Sequence, residues 1–261
     1  MFDCTNIYSV WDKRLVRGIK NYRRRAKQVE YKGNRDVKKN ERVFSFEDDT
    51  SELLSSVGVK NIYPGILEAD DVISWLCSKI DGSKVVVSVD QDMLQLVDKK
   101  TTVYSPIKDI IYDFDNFNDQ IGVPIEQFLR YKSLMGDKSD NLPGINKCGP
   151  KTAQKLVTKH PTDETLIKEL GEDNLQPYFF NLKMIDLTEG HRQHPGDVEL
   201  YDDQYKVLQD HQPDFETFKS LCESHGIKKI VGDIHNWKQI FDPVNLDNTL
   251  ESIVNKLDLH K

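Results

Sequence analysis

The sequence predicts an α/β fold with a central, mostly parallel sheet and helices on both faces. Three observations carry this reading. Lys84–Val89 (KVVVSV) is a nearly continuous β-branched run, the pattern of a strand buried on both faces. Glu68–Ile80 sets Val72, Ile73, Leu76 and Ile80 on one helical face. Strand and helix candidates alternate through the first half of the chain, as a parallel sheet requires.

The elements follow in order. Residues 1–12 read as a strand tail and loop, and 13–55 as mostly polar helix broken at Gly33-Asn34. Val59–Ile62 is a short strand ended by Pro64-Gly65, and Asp81-Gly82 closes the helix that starts at Glu68. A short helix through Met93, Leu94 and Leu96 follows the valine-rich strand, then strands at Thr101–Tyr104 and Ile110–Tyr112. Pro124 suits the first turn of a helix running to Met135. The pattern stays mainly helical to about Leu187 and weakens beyond Gly190. There His191 and His194 precede Pro195-Gly196 and read as a polar loop rather than a metal site. Residues 215–230 should be helical, and the tail after Asp242 loosely held.

Composition bounds the function. Charged residues make up 30% of the 261, and no apolar run approaches the roughly 18 residues that span a bilayer. Cys4, Cys77, Cys148 and Cys222 lack metal-type spacing and read as free thiols of a reducing cytosol. The first residues lack the apolar core of a signal peptide. A cytoplasmic protein is expected, in a bacterium or in the host of a phage. The net charge of −7 argues against nucleic acid, but its distribution does not. Lys13 to Arg42 holds 13 Lys+Arg against 3 Asp+Glu, a +10 segment on a body that carries −17. Such an arm is either a solvated helix or a phosphate-contacting element.

Three acidic clusters point to the chemistry. Glu68, Asp70 and Asp71 open a helix; Asp90 and Asp92 follow the most apolar strand; Asp137 and Asp140 sit in MGDKSDNLPG. Ligands of α/β sheets bind beyond the carboxyl ends of the strands, which is where Asp90 and Asp92 fall. Singly, each acid is an ordinary helix-start or loop carboxylate. Together they repel and resist desolvation unless cations neutralise them. Oxygen-only ligands select Mg²⁺ or Mn²⁺ over zinc, and a pair of such ions can clamp a phosphodiester. Directly after, NLPGINKCGPKTA (141–153) is a Gly-rich turn leading into a helix. It is either a plain helical corner or a cradle of N–H groups for a phosphate.

In combination, EADD, DQD after a valine-rich strand, MGDKSDNLPG with GPKTA, YKGNR at 31–35 and NLKMIDL at 181–187 resemble the 5'-nuclease superfamily. That superfamily comprises flap endonucleases and 5'-to-3' exonucleases, and the similarity is closest to the phage and DNA polymerase I types. It covers roughly residues 1–190. The resemblance implies a PIN-like 5'-nuclease core with a helical arch, and a helical C-terminal lobe with a helix–three-turn–helix motif. It divides the chain into a core at 1–135, with the basic arch at about 13–55, and a lobe at 136–261. It implies that Asp3, Glu68, Asp70, Asp71, Asp90, Asp92, Asp137 and Asp140 hold two or three Mg²⁺, with Mn²⁺ as a substitute. It implies that Lys32 and Arg35 contact the scissile phosphate and form the catalytic set with Asp70, Asp90 and Asp92. Gly144, Ile145, Lys147, Gly149, Lys151 and Thr152 would grip duplex backbone, in part through a bound K⁺.

The implied activity is a structure-specific 5'-nuclease of replication or repair. Its substrates would be DNA with 5' ends, flaps or nicks, and RNA–DNA hybrids. The protein is expected to be a monomer with no membrane partner. Three departures from the family pattern stand out. The family's first strand, with its aspartate, has no counterpart. Lys147 replaces a glycine, which strains a turn that needs φ > 0. The stretch before YKGNR is longer and more basic, and Asp12 follows Trp11 where arginine is common. The first departure motivates a rival reading: an incomplete DNA-binding homologue, or half of a split nuclease completed by a second polypeptide. A PIN-type ribonuclease shares the acids but lacks the basic arm and the GPKTA loop.

Overall fold

The computed structural model describes residues 4–12, 32 and 46–241. Asp3, Arg35, most of the basic arm and the tail after Phe241 lie outside them. Two compact units emerge, which divide the chain differently from the expected boundary at residue 135.

One unit takes its described residues from Met1–Trp11, Asp36–Ile62 and Asp202–Lys261. Strand β1 (Tyr8–Val10) runs parallel to β2 (Lys60–Ile62), with Ser9 opposite Asn61. Between them in sequence lies α1 (Glu47–Ser56). Val57 and Val59 pack with Phe218 and Cys222 of α10 (Phe215–Ser224), and Trp237 joins this core from α12 (Ile234–Phe241). The expected helix over 215–230 is broken at Gly226, whose φ of 67° ends α10 before the short α11 (Lys228–Gly232).

The other unit takes its described residues from Asp12–Arg35 and Tyr63–Tyr201. Helix α2 (Ala69–Lys79) leads to β3 (Lys84–Val87), a 3₁₀ turn (Gln91–Leu96), β4 (Thr101–Ser105) and β5 (Ile110–Tyr112). Strand β3 is parallel to β4, and β5 is antiparallel to β4. The α/β class therefore holds, but the strands are shared among small sheets rather than one central sheet. The expectation for Lys84–Val89 needs correction. The strand stops at Val87, and Val87 and Val89 are each 60% exposed. Among the described strands β3 pairs only with β4.

The helical part is fused to this sheet by a common core. Val86, Met93, Leu94 and Val103 pack with Phe117 of α3 (Phe117–Ile121), Phe128 and Leu134 of α4 (Ile125–Met135), and Ala153 and Val157 of α5 (Pro150–Lys159). Leu166 of α6 (Asp163–Leu170) and Tyr178 of α7 (Glu172–Ile185) complete it. Between α4 and α5 the chain forms a tight hairpin, β6 (Gly136–Asp137) against β7 (Leu142–Pro143). A Cβ on Gly144 would collide with the Met135 carbonyl, so this close approach needs glycine. The segment read as a polar loop instead forms α8 (Glu189–Gln193), with Pro195 opening α9 (Pro195–Val207). All four cysteines are free, and no helix among the described residues is long and apolar enough to cross a membrane.

Candidate metal centre and phosphate-contact loop

Glu68 is the N-cap of α2, extended at φ −107° and ψ 164°. Its N–H donates to Asp71 Oδ2 at 3.0 Å. Asp71 is fully buried, so the structure gives this acid a helix-capping role. Asp70, between them, is half-buried, and its carboxyl is pushed up to about 7. Burial is the main cause; Asp90, Glu68 and Asp12 add repulsion while Lys32 opposes it. Asp12, which the sequence reading left out of the site, accepts the Ala69 N–H at 2.9 Å.

Lys32 ties two motifs together. Its Nζ stands 2.7 Å from Glu68 Oε1, both side chains being 7% exposed. Its backbone N–H donates to the Asp140 carbonyl at 3.0 Å. Its φ of 54° is unusual for a residue with a Cβ, and it marks a strained position beside the acids.

The second carboxylate group is built around Lys132, a residue the sequence reading missed. Asp90 is exposed, and its Oδ1 accepts the Asp92 N–H at 2.8 Å, capping the 3₁₀ turn. Lys132, only 4% exposed, reaches from α4 to Asp92 Oδ1 at 2.9 Å and Asp137 Oδ2 at 2.8 Å. Asp137 is also gripped by Ser139, whose N–H and hydroxyl reach Oδ1 at 2.7 and 2.6 Å. The Lys132 ammonium is thus shared between the two carboxylates. Burial is the main reason that the Asp92 carboxyl is pushed up to about 6; Lys132 opposes it, while Asp90 and Asp137 add repulsion. For Asp137 burial also raises the value, but the hydrogen bonds from Lys132 and Ser139 outweigh it and hold the carboxyl below its usual range. Asp140 is buried in the same turn. Asn181 fixes the hairpin from α7, donating to the Ser133 and Pro143 carbonyls at 3.0 and 2.8 Å.

The donor set is entirely oxygen, and its carboxylates outnumber the buried lysines beside them, so these residues fit a hard divalent cation. Among the described residues no three acids are close enough to form a closed cage. Asp70 and Asp92 each repel the Asp90 between them in sequence, so the charges are gathered while the ligand geometry is open.

In the 141–153 loop, the expected phosphate ligands separate into two kinds. Ile145 belongs to the core, and its N–H is spent on the Leu134 carbonyl at 2.9 Å, which removes both from a direct contact. Gly144 serves the close backbone approach described above. Lys147 sits at φ 56°, the left-handed conformation expected where a glycine is replaced. Gly149 is the N-cap of α5, with Pro150 at its first position and Lys151 and Thr152 exposed in its first turn. Backbone N–H groups at a helix start, beside a lysine, suit a phosphate.

Comparisons with known proteins bear on the family and the fold. A family profile described as "5'-3' exonuclease, N-terminal resolvase-like domain" matches residues 3–122, and one described as "5'-3' exonuclease, C-terminal SAM fold" matches 123–195. A 5'-3' exonuclease of Aquifex aeolicus is 30% identical over 190 residues, covering 70% of this chain and 64% of the relative. One from Bacillus subtilis is 34% identical over 176 residues, covering 65% and 57%. The chain thus spans about three-fifths of the length of these relatives. The phage T5 5'-exonuclease with bound zinc superposes with a TM-score of 0.64 at 22% identity, over 79% of this chain and 84% of that one, a likeness of fold.

Proposed function

Because the chain belongs to the 5'-nuclease superfamily, we propose that it is a divalent-metal-dependent hydrolase that cuts phosphodiesters at DNA 5' ends, flaps or nicks. The observation that carries this reading is the set of mutually repelling acids, Asp70 with Glu68 and Asp90, and Asp92 with Asp90 and Asp137, beside two buried lysines. Glu68, Asp70, Asp90, Asp92, Asp137 and Asp140 would hold Mg²⁺, with Mn²⁺ as a substitute. Asp3 would join them. Bound ions would supply the Lewis acidity that activates water and stabilises the leaving oxygen. Lys32 places an ammonium beside the acids, where it can meet a phosphate oxygen as Glu68 turns to the metal, and Arg35 would act with it. The Lys151 side chain and N–H and the Thr152 hydroxyl would hold the backbone of the duplex, with Lys147 and a K⁺ ion adding positive charge. Affinity should then be salt-sensitive and weakly dependent on sequence. RNA–DNA hybrids are expected substrates as well, because the contacts are to phosphates.

The test uses the purified chain with Mg²⁺ and an end-labelled 5'-flap duplex. Cleavage near the junction is expected, and Asp90→Ala should abolish it while binding persists. Binding without cleavage in either Mg²⁺ or Mn²⁺ would refute activity of this chain alone. A second reading is that a strand from another polypeptide pairs with the edge of β3 that no described strand occupies. Cleavage that appears only when the product of the adjacent upstream reading frame is added would establish it.

A further inference from the structure

The backbone that delivers Glu68 is held by a carboxylate from outside all the motifs. The N–H groups of three consecutive residues converge on Asp197, in the first turn of α9. Gly65 and Leu67 donate to its Oδ2 at 3.0 Å, and Ile66 to Oδ2 at 3.0 Å and Oδ1 at 3.2 Å. The Tyr201 hydroxyl, one turn later, donates to Oδ2 at 3.1 Å. A Cβ on Gly65 would collide with Asp197 Oδ1, so the approach depends on glycine there. Successive N–H groups pointing inward form a concavity that attracts an anion, and here the chain supplies its own.

The same segment grips the other side of the turn. His191 Nε2 lies 2.8 Å from the Asp71 carbonyl. Gly190 packs so closely that a Cβ would stand 2.9 Å from Leu67 Cδ2. Tyr201 also meets Trp75 of α2 edge-on, with ring centroids 5.7 Å apart. Residues 190–201 therefore brace the chain before Glu68 and after Asp70.

From this geometry we infer that Asp197 is a positioning residue for the metal centre, its carboxylate fixing the Gly65–Leu67 backbone so that Glu68 and Asp70 are presented together to a divalent cation. The inference rests on the nuclease reading for its effect on cleavage, but not for its effect on metal binding. Partners behind metal ligands typically change metal affinity or activity about 10–100-fold when removed. Asparagine keeps the shape of Asp197 but not the charge, and an amide NH₂ in place of Oδ1 can no longer accept the Ile66 N–H.

The experiment measures Mn²⁺ binding to the metal-depleted chain without DNA, by the loss of the free Mn²⁺ paramagnetic signal. Asp197→Asn should weaken binding about 10–100-fold, and Asp197→Glu should recover part of it. In cleavage, the Mg²⁺ concentration at half-maximal rate should rise in proportion, with the KM for flap DNA unchanged and the rate restored by excess Mg²⁺. Gly65→Ala, which forces the carboxylate off the turn, should reproduce the effect and serves if Asp197→Asn does not fold. A folded Asp197→Asn or Gly65→Ala variant that melts lower yet binds Mn²⁺ like the parent would overturn the inference and leave the nuclease reading intact. A parent chain that binds Mn²⁺ but cuts no DNA would sink the nuclease reading, while weakened Mn²⁺ binding in the variant would still support Asp197. No Mn²⁺ binding by the parent would overturn both.

Discussion

Replacing Asp70 by asparagine should stabilise the metal-free protein while abolishing cleavage. The Asp70 carboxyl rises from 3.8 to about 7, with burial as the chief cause. At 1.36 kcal/mol per pH unit, ionising this group in the folded state costs about 4 kcal/mol. The folded value lies above the unfolded one, so the folded state holds the proton through the window from 3.8 to about 7. Stability contributed by Asp70 is therefore complete below that window and lost as pH rises through it. Asparagine is neutral throughout. The variant should match the parent near pH 4 and exceed it at pH 8 by up to about 4 kcal/mol, or roughly 8–16 °C in melting temperature for a unit of this size. The assay is thermal unfolding in chelator at pH 4, 6 and 8, repeated at saturating Mg²⁺. Metal binds only the ionised acid, so Mg²⁺ should erase the advantage of the variant. Equal melting of the two proteins at pH 8 in chelator would refute the claim that desolvation and repulsion are stored at Asp70. So would an advantage that is independent of pH.

Two other substitutions probe neighbouring features. Lys132→Met should lower the melting temperature in chelator, because an unpaired buried charge costs about 3–5 kcal/mol, and should enlarge the stabilisation that Mg²⁺ brings; a variant that melts like the parent in chelator would show that Lys132 is not the counter-ion of Asp92 and Asp137. Lys147→Gly should raise the melting temperature by a few degrees, since a left-handed residue with a Cβ costs roughly 1–2 kcal/mol and glycine returns about half of that as lost chain entropy; a lower melting point would mean that the lysine makes a stabilising contact outweighing its φ of 56°.

The acids were legible because their signal is local. A carboxylate at a helix start, or in the turn just past an apolar strand, reads the same in sequence and in space. Lys132 was not, because nothing in RYKSLMGD distinguishes a lysine turned toward Asp92 and Asp137 from one in solvent. Asp197 was hidden further, since its partners are backbone N–H groups some 130 residues away, which carry no residue identity at all. Asp71 was read by its motif as a ligand, whereas three-residue spacing at a helix start equally serves a cap, and the buried N–H of Glu68 takes it. The valine run misled for a related reason. Apolar character predicts what a strand can bury, while the partners on either edge are set by distant pairing, and β3 has such a partner only in β4 among the described strands. Lys147 shows the reverse. Its conformation follows from the turn, so a family glycine at that place foretold the left-handed φ.

Charge is unevenly balanced across the site, and the imbalance says where a divalent cation is needed. Lys132 and Lys32 are both buried and both lie within 2.9 Å of carboxylates, the length of charge-assisted hydrogen bonds. They do not serve all acids equally. Asp137 has Lys132 and Ser139, and its carboxyl is held below the usual range. Asp92 shares the same ammonium, but burial outweighs it and the carboxyl rises to about 6. Asp70 feels Lys32 only against three acids, Asp90, Glu68 and Asp12, and rises to about 7. Positive charge is thus sufficient at the β6–β7 hairpin and falls short toward the start of α2. A 2+ ion placed among Asp70, Asp90 and Asp92 relieves desolvation and repulsion that the lysines leave in place, whereas one placed against Asp137 would compete with a cation already well bound. The first ion to bind should therefore enter at the α2 side, and the lysine bridge between Asp92 and Asp137 should persist until a second ion or a phosphate displaces it.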